Sequence, residues 1–162
     1  STTSGDISLG QVKGDMNIST TSGEVRLQEG RGELDASSTS GDIRADSLEG
    51  AFYLDTTSGT LSIAKGSGFG KAGSVSGDIR IFLAELQGGL DISTTSGDVS
   101  LQFPEAASLS LRFGSTSGEC RTFFDEELSF SKKGNKAEGR HGGGEHTIDV
   151  STVSGDLSIS EE

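Results

Sequence analysis

Apolar and polar residues alternate in short runs along most of the chain, and these runs recur at a nearly constant spacing. After the Ser-Gly pair of the unit Thr39–Arg44, for example, Ile43 and then Ala45, the next residue beyond the unit, occupy alternate positions. Alternation over four to eight residues is typical of half-buried β-strands, whose successive side chains point to opposite faces. Because each regular unit has two such runs, the pattern predicts two strands and about four inward side chains per unit.

The predicted core follows directly from this alternation. After the Ser-Gly pairs, the inward positions are Ile7, Leu9, Val25, Leu27, Ile43, Ala45, Leu61, Ile63, Ile79, Ile81, Val99 and Leu101. Before the next pair, they are Met16, Ile18, Leu34, Ala36, Phe52, Leu54, Leu90, Ile92, Leu111, Phe113, Ile148 and Val150.

The Ser-Gly pairs mark a repeat. They begin at Ser4, Ser22, Ser40, Ser58, Ser76, Ser96, Ser117 and Ser154, which gives successive differences of 18, 18, 18, 18, 20, 21 and 37 residues. A fixed period of this length indicates a solenoid, in which each coil must stack on its neighbours to bury its apolar side chains. The last gap is interpreted as two units whose middle pair is lost.

The fold class predicted is therefore all-β: a parallel β-solenoid of about 18 residues and two main strands per coil, with right-handed crossovers. One such domain is expected to span residues 1–162. Since the chain lacks an initiator Met and opens inside a repeat at Ser1, we interpret it as a segment of a longer protein.

Turns are assigned to the Ser-Gly pairs, where glycine supplies a positive φ and the following Asp or Glu can bond backbone N–H groups. The assigned turn residues are Ser22, Gly23, Ser40, Gly41, Ser58, Gly59, Ser76, Gly77, Ser96, Gly97, Ser117, Gly118, Ser154 and Gly155. A second turn is expected at Gly14, Gly32, Gly50, Gly68 and the pair Gly88-Gly89.

Three stretches depart from the repeat: the strand before Ser76, the segment from Pro104 to Ala107, and residues 121–146. The strand before Ser76 is expected to be weak, because Gly70 and Ala72 take its core positions. Either Phe69 turns inward to compensate, or the wall is locally thin. The segment from Pro104 to Ala107 is expected to form a bulged corner.

An irregular coil and cap is expected over about residues 121–146. Its predicted features are an apolar patch of Phe123, Phe124, Leu128 and Phe130, a hairpin turn at 132–136, and a flexible loop from Gly139 to Gly144.

Composition narrows the possible functions. With 30% hydrophobic residues and 25 Gly, the chain could suggest disorder, but the repeat argues against it because a narrow solenoid needs little apolar mass per coil. The net charge of -12 disfavours binding to nucleic acid. It fits a surface on which charge repulsion keeps copies of the chain apart, or one that binds cations or basic partners. No apolar run approaches a membrane span, so this segment is not expected to insert into a bilayer.

Stacking predicts a column of acidic residues beside the turns: Asp6, Glu24, Asp42, Asp78, Asp98, Glu119 and Asp156. Such a column could bind Ca²⁺, with Asp42, Asp78 and Asp98 as candidate ligands. We favour turn capping neutralised by Arg side chains, since Arg on the same face would compete with a cation.

Other chemistry is weakly supported. His141, Glu145 and His146 could ligate zinc, but the glycines between them give no rigid presentation, which favours a solvated loop. Cys120 falls at an inward position and is expected to be a core residue. Because no His or other base is placed beside any Ser, the serines are interpreted as structural and no catalytic residue is assigned. No metal and no cofactor are assigned either. A lyase or hydrolase would need long loops that build a groove, and these coils are short.

The repeated Thr-Ser-Gly-Asp-hydrophobic units, and above all Thr147–Leu157, resemble the bacterial putative-adhesin repeat family, which is related to the toast-rack solenoid domains. The resemblance covers nearly the whole chain. It implies a parallel β-solenoid that is exported or displayed at the cell envelope, often beside transmembrane segments, and it carries over no catalytic residues.

The function expected is a non-enzymatic scaffold at the bacterial cell envelope that binds a protein partner or an envelope component. The alternative is an adhesin module that binds a cation or a glycan through the acidic column. Self-association through the solenoid ends is also expected. The location is expected to be extracytoplasmic or membrane-anchored through sequence outside this segment, with the cytoplasm left open.

Overall fold

The computed structural model describes residues 1–104, 106–124, 128–130 and 135–161, with residues 128–130 described by their backbone. The strands are β1 (Thr2–Ser4), β2 (Ile7–Lys13), β3 (Met16–Ser22), β4 (Val25–Arg31), β5 (Leu34–Ser40), β6 (Ile43–Ser58), β7 (Leu61–Ser76), β8 (Ile79–Ser96), β9 (Val99–Phe103), β10 (Leu109–Ser117), β11 (Cys120–Thr122), β12 (Leu128–Phe130), β13 (Lys136–His141), β14 (His146–Ser154) and β15 (Leu157–Glu161). All fifteen belong to one sheet that coils on itself. The predicted parallel β-solenoid is confirmed.

Two columns of parallel strands form the walls. The first, here called the threonine face, stacks β1, β3, β5, the second halves of β6, β7 and β8, then β14 and β10. The second, the arginine face, stacks β2, β4, the first halves of β6, β7 and β8, then β9, β15 and β11. Equivalent residues 18 positions apart are paired in the regular part, as Leu34 is with Phe52.

The core lies between the two faces, where alternation placed it. Twenty-two of the 24 predicted inward residues are buried, whereas Ile7 and Leu9 of the first coil are half-buried because only one neighbouring coil covers them. Leu48, Leu83 and Phe103 add to this core at the corners.

The order of the coils differs from the prediction. The last coil, β14 and β15, lies between two coils that precede it in sequence: β14 pairs with β8 and β10, and β15 pairs with β9 and β11. The long gap between Ser117 and Ser154 is therefore not a lost repeat. After β11 the chain leaves the stack of coils. It returns as β14 and β15, which insert between the coil of β8 and β9 and the coil of β10 and β11.

The end beyond β10 is covered by two antiparallel strands. β13 pairs with β10, and β12 pairs with β13. The predicted loop from Gly139 to Gly144 is thus wrong in its first half, since Gly139–His141 form ladder pairs with Leu109–Leu111. Of the predicted hairpin turn, residues 132–134 lie outside the described residues, as do the side chains of Leu128 and Phe130.

The strand before Ser76 is not weak. β7 runs without a break from Leu61 to Ser76, and the Phe52 side chain fills the space left by Gly70: its Cδ2 is 2.9 Å from where a Gly70 Cβ would lie. Of the two alternatives expected there, an inward Phe69 is wrong, because Phe69 is 42% exposed. At the next corner, the Ala107 N–H donates to the Pro104 carbonyl at 2.8 Å, which closes a turn outside the strands.

Candidate interaction surface

The acidic column is a ladder between coils. The Asp6, Asp42, Asp78, Asp98 and Asp156 carboxylates each accept a hydrogen bond from the backbone N–H of the equivalent residue in the next layer, at 2.8–3.2 Å. Because Glu119 donates to Asp156 and Asp156 donates to Asp98, the ladder passes through the inserted coil. These carboxylates join neighbouring layers.

Arginines on the adjacent row occupy the other side of several carboxylates. Arg44 contacts Asp42 Oδ2 at 2.8 Å, and Arg80 contacts Asp78 Oδ2 at the same distance. The hydrogen bond from the Thr60 N–H, reinforced by Arg44, lowers the pKa of Asp42 below its ordinary value of 3.8 despite partial burial. Both oxygens of Asp42 and of Asp78 are therefore engaged with protein groups.

The Ser-Gly pairs lie at the corners between the two faces. Glycine takes a positive φ of 125–151° in Gly23, Gly41, Gly59, Gly77 and Gly97. Gly118 and Gly155 keep φ outside that region, so the expected conformation is wrong at these two. The second turn expected at Gly88 and Gly89 does not interrupt the strand, since both residues lie within β8. The two exceptional turns belong to the inserted coil and the layer beyond it.

The histidine cluster does not converge. His141 and His146 both pair with Leu109, but on opposite sides of β10, which places their backbones roughly 10 Å apart. The His141 ring stacks on Phe124 at 4.9 Å and meets the edge of Phe123 at 5.2 Å. Over the described part of the chain, no three His, Cys, Asp or Glu side chains are grouped to hold a metal ion.

The threonine face carries the exposed groups that could meet a partner. Its outward rows run across the layers as Asn17, Asp35, Tyr53, Lys71, Asp91, Asp149 and Arg112, then Ser19, Ser37, Asp55, Gly73, Ser93, Ser151 and Gly114. The surface is flat and polar over most of its extent.

Two shallow depressions interrupt this face and share Tyr53, Lys71 and Asp91. One, of about 380 Å³, continues toward Asp35 and Asp55, and the other, of about 230 Å³, continues toward Phe69 and Asp149. We call them together the Tyr53 groove. Lys71 bonds Asp91 at 3.0 Å across the middle.

Glycines shape the Tyr53 groove. Phe69 leans over Gly88 of the next layer, where a Cβ would come within 2.9 Å of the Phe69 Cβ, while Gly70 and Gly89 form part of the floor. Two aromatic rings, Tyr53 at 40% exposure and Phe69 at 42%, stand beside several carboxylates and one lysine. This combination can stack on a planar or apolar ligand surface and accept hydrogen bonds from its donors.

Alternation alone marks Tyr53 and Lys71 as outward but does not reveal the groove. A second column was also missed: inward hydroxyls at Thr20, Ser38, Thr56, Ser74, Thr94, Thr152 and Ser115. In runs such as Ser19–Ser22, every residue bears a hydroxyl, so no polar contrast shows which side chain points inward.

Within the described residues, no helix combines the length and the apolar character needed to cross a bilayer.

The chain is similar to one protein family and to a protein of known structure. The family model described as Toastrack DUF4097 matches residues 1–160. A crystal structure of a putative cell adhesion protein from Clostridium sporogenes is similar to this chain with a TM-score of 0.44 and 9% sequence identity, over 99% of this chain and 92% of that one. Among curated proteins, none matches significantly.

Proposed function

Since the chain belongs to the Toastrack DUF4097 family, we propose that it is a non-enzymatic scaffold that presents its threonine face to a protein partner or another component of the cell envelope. The observation that carries this proposal is the Tyr53 groove, because it combines exposed aromatic rings with polar groups on an otherwise flat wall. Exposed aromatic residues of this kind are enriched at interfaces.

A scaffold role is supported by the way the charged residues are used. The acidic ladder joins one layer to the next, and Arg44 and Arg80 pair with Asp42 and Asp78 within their own layers, so these groups stiffen the stack and are not gathered in one place. Catalysis needs a nucleophile, acid or base held beside its partners. The Tyr53 groove holds a lysine, carboxylates and two rings, a set suited to binding.

The charge of the groove defines the partner chemistry. Asp35, Asp55, Asp91 and Asp149 line it, and among the described residues that line it Lys71 is the one cation. The whole chain carries a net charge of -12. We expect a partner surface with Lys or Arg side chains, which pair with carboxylates and lie over aromatic faces, or with hydroxyl groups, which donate hydrogen bonds to carboxylates.

The location is tested on the full-length native protein. Protease is added to intact cells, and membrane, wall and soluble fractions are then compared. Cleavage from outside with retention in the envelope fraction is expected. A protected protein recovered only in the soluble interior would overturn the envelope role.

The groove is tested with two matched double variants of this 162-residue chain, each added to washed envelopes from cells that lack the protein. Tyr53→Ser with Phe69→Ser removes both exposed rings and should lower the amount of the chain that the envelopes retain. Val75→Ser with Val153→Ser changes two side chains that are each 51% exposed on the same face but do not line the groove. Equal retention of both variants would exclude the Tyr53 groove as the contact.

A further inference from the structure

The closing coil, defined as β14 and β15, is held from both sides by coils that precede it in sequence. On one side, Gly97 N–H donates to the Ser154 carbonyl at 3.2 Å and Val99 N–H to the Asp156 carbonyl at 2.9 Å. On the other, Gly155 N–H donates to Ser117 and Leu157 N–H to Glu119, at 3.3 and 2.9 Å. The closing coil therefore fills a slot with two hydrogen-bonding edges.

The slot is complementary to a coil of this repeat. Inside it, Ile148, Val150, Leu157 and Ile159 are at most 3% exposed. At the turn, a Cβ on Gly155 would collide with the Gly97 carbonyl oxygen, and one on Gly118 with the Gly155 carbonyl oxygen. An occupant must therefore bring alternating apolar residues and a glycine turn in one register.

A glycine connection carries the chain into the slot. β13 ends at His141 and β14 begins at His146. Both histidines pair with Leu109, the first residue of β10, so the connection passes over the N-terminal end of β10. Gly142 and Gly144 take φ of 62° and 68°, values favourable to glycine, and Gly142 and Gly143 are exposed. Three successive glycines give this connection the backbone freedom that a hinge requires, and its described contacts to the stack are hydrogen bonds from the Glu145 and His146 N–H groups to Ser108.

We propose that the closing coil is exchangeable between two copies of this chain: β14 and β15 of one copy enter the slot of the other, with Gly142–Gly144 extended. Every contact of the closing coil is then preserved, so the two arrangements differ only at the hinge and in the entropy of association. Main-chain pairing along two strand edges supplies the affinity, as in other cases of strand addition. This proposal depends on the coil order and is independent of the Tyr53 groove.

The test uses the full chain in a Cys120→Ala background. One copy carries Ser93→Cys and a differently tagged copy carries Ser151→Cys. These residues are exposed Cα partners on neighbouring parallel strands, a separation of about 4.8 Å that a disulfide can span. The two copies are mixed at high concentration, warmed gently, and oxidised. A covalent heterodimer is expected.

The control pair is Ser19→Cys and Ser37→Cys on separate copies, which are also Cα partners but belong to consecutive coils of the regular stack. The Ser93 and Ser151 pair should give several times more heterodimer than this control. Equal yields would overturn the proposal. A single copy carrying both Ser93→Cys and Ser151→Cys should close on itself, and once oxidised it should no longer form swapped dimers.

Discussion

Glycine at the Ser-Gly turn meets two requirements at the level of the single residue. Gly41 has a φ of 146°, and a Cβ there would collide with the Gly23 carbonyl oxygen of the preceding layer. The backbone conformation and the closeness of the layers both exclude a side chain. The turns are thus tight because the layers touch through glycine.

We expect Gly41→Val to lower the free energy of unfolding by at least about 3 kcal/mol, from backbone strain and overpacking together. Denaturant unfolding would measure this loss. The control is Gly114→Ala in β10, where nothing lies within 4 Å of the added Cβ, so the change should stay within about 0.5 kcal/mol. A Gly41 variant as stable as the control would contradict the assigned turn.

Asp42 links stability to pH. Its pKa is below 3.8 because the Thr60 N–H and Arg44 stabilise the carboxylate. A carboxyl group whose pKa is lower in the folded state stabilises the fold at pH above its unfolded pKa. That contribution is lost as pH falls through the folded-state pKa.

Asp42→Asn keeps an oxygen that can accept from Thr60 but removes the charge. We expect it to lower the unfolding free energy at pH 7 by at most about 1 kcal/mol, because the site is partly solvated. The difference from the unmodified chain should shrink as pH falls below 4 and vanish below the folded-state pKa. Urea unfolding across this pH range tests the sign, with the exposed Asp15→Asn as control. A difference that grows on acidification would contradict it.

At the level of the strand, the inward hydroxyl column should cost stability. Thr56 is fully buried, and its Oγ1 lacks a hydrogen-bond partner among the described residues. Thr20, at the equivalent position two layers away, bonds the Ser22 carbonyl at 3.2 Å. The same residue type thus occurs with and without a partner in one column.

Thr56→Val should therefore raise the unfolding free energy by about 1 kcal/mol, because it replaces an unpaired buried hydroxyl with a methyl group. Thr20→Val removes a bonded hydroxyl and should lower it by about 0.5–1 kcal/mol. Thermal or urea unfolding of the two variants compares them directly. Losses of equal size would show that Thr56 is bonded in solution.

Alternation predicted the strands and core well because a half-buried strand needs polar contrast between its faces. It failed where that contrast was absent, as at Thr56, or where a neighbour decided the outcome. Gly70 looked like a gap, yet Phe52 of the adjacent layer fills it. The Tyr53 groove depends likewise on Gly88 lying beside Phe69, which the shifted spacing of that coil conceals.

The coil order could not be read from the repeat. Ser96 and Ser117 are 21 residues apart, close to one ordinary unit, so direct stacking of their coils fits the sequence. Whether the closing coil inserts between two earlier coils depends on packing between segments that are distant in sequence. The local pattern of apolar and polar residues therefore does not predict the insertion.

At the scale of the whole molecule, the acidic ladder between coils predicts that Ca²⁺ does not change the stability of the fold. The Asp42 and Asp78 oxygens already bind backbone N–H groups and arginines, so melting temperatures in Ca²⁺ and in EDTA should agree within error. A ligand that binds only the native state would raise the melting temperature with its concentration. Such a rise would favour the cation-binding adhesin over the scaffold.

The inserted coil also has a consequence for synthesis on the ribosome. When residues up to Thr122 have emerged, β8 and β10 each have an unpaired strand edge, and the two edges are in matching register. The closing coil, which separates them in the finished fold, has not yet emerged from the ribosome. We expect the nascent chain to pair these edges with each other and to reopen them later. The final layer would then enter by displacement, which would make completion of the fold slower than its first steps.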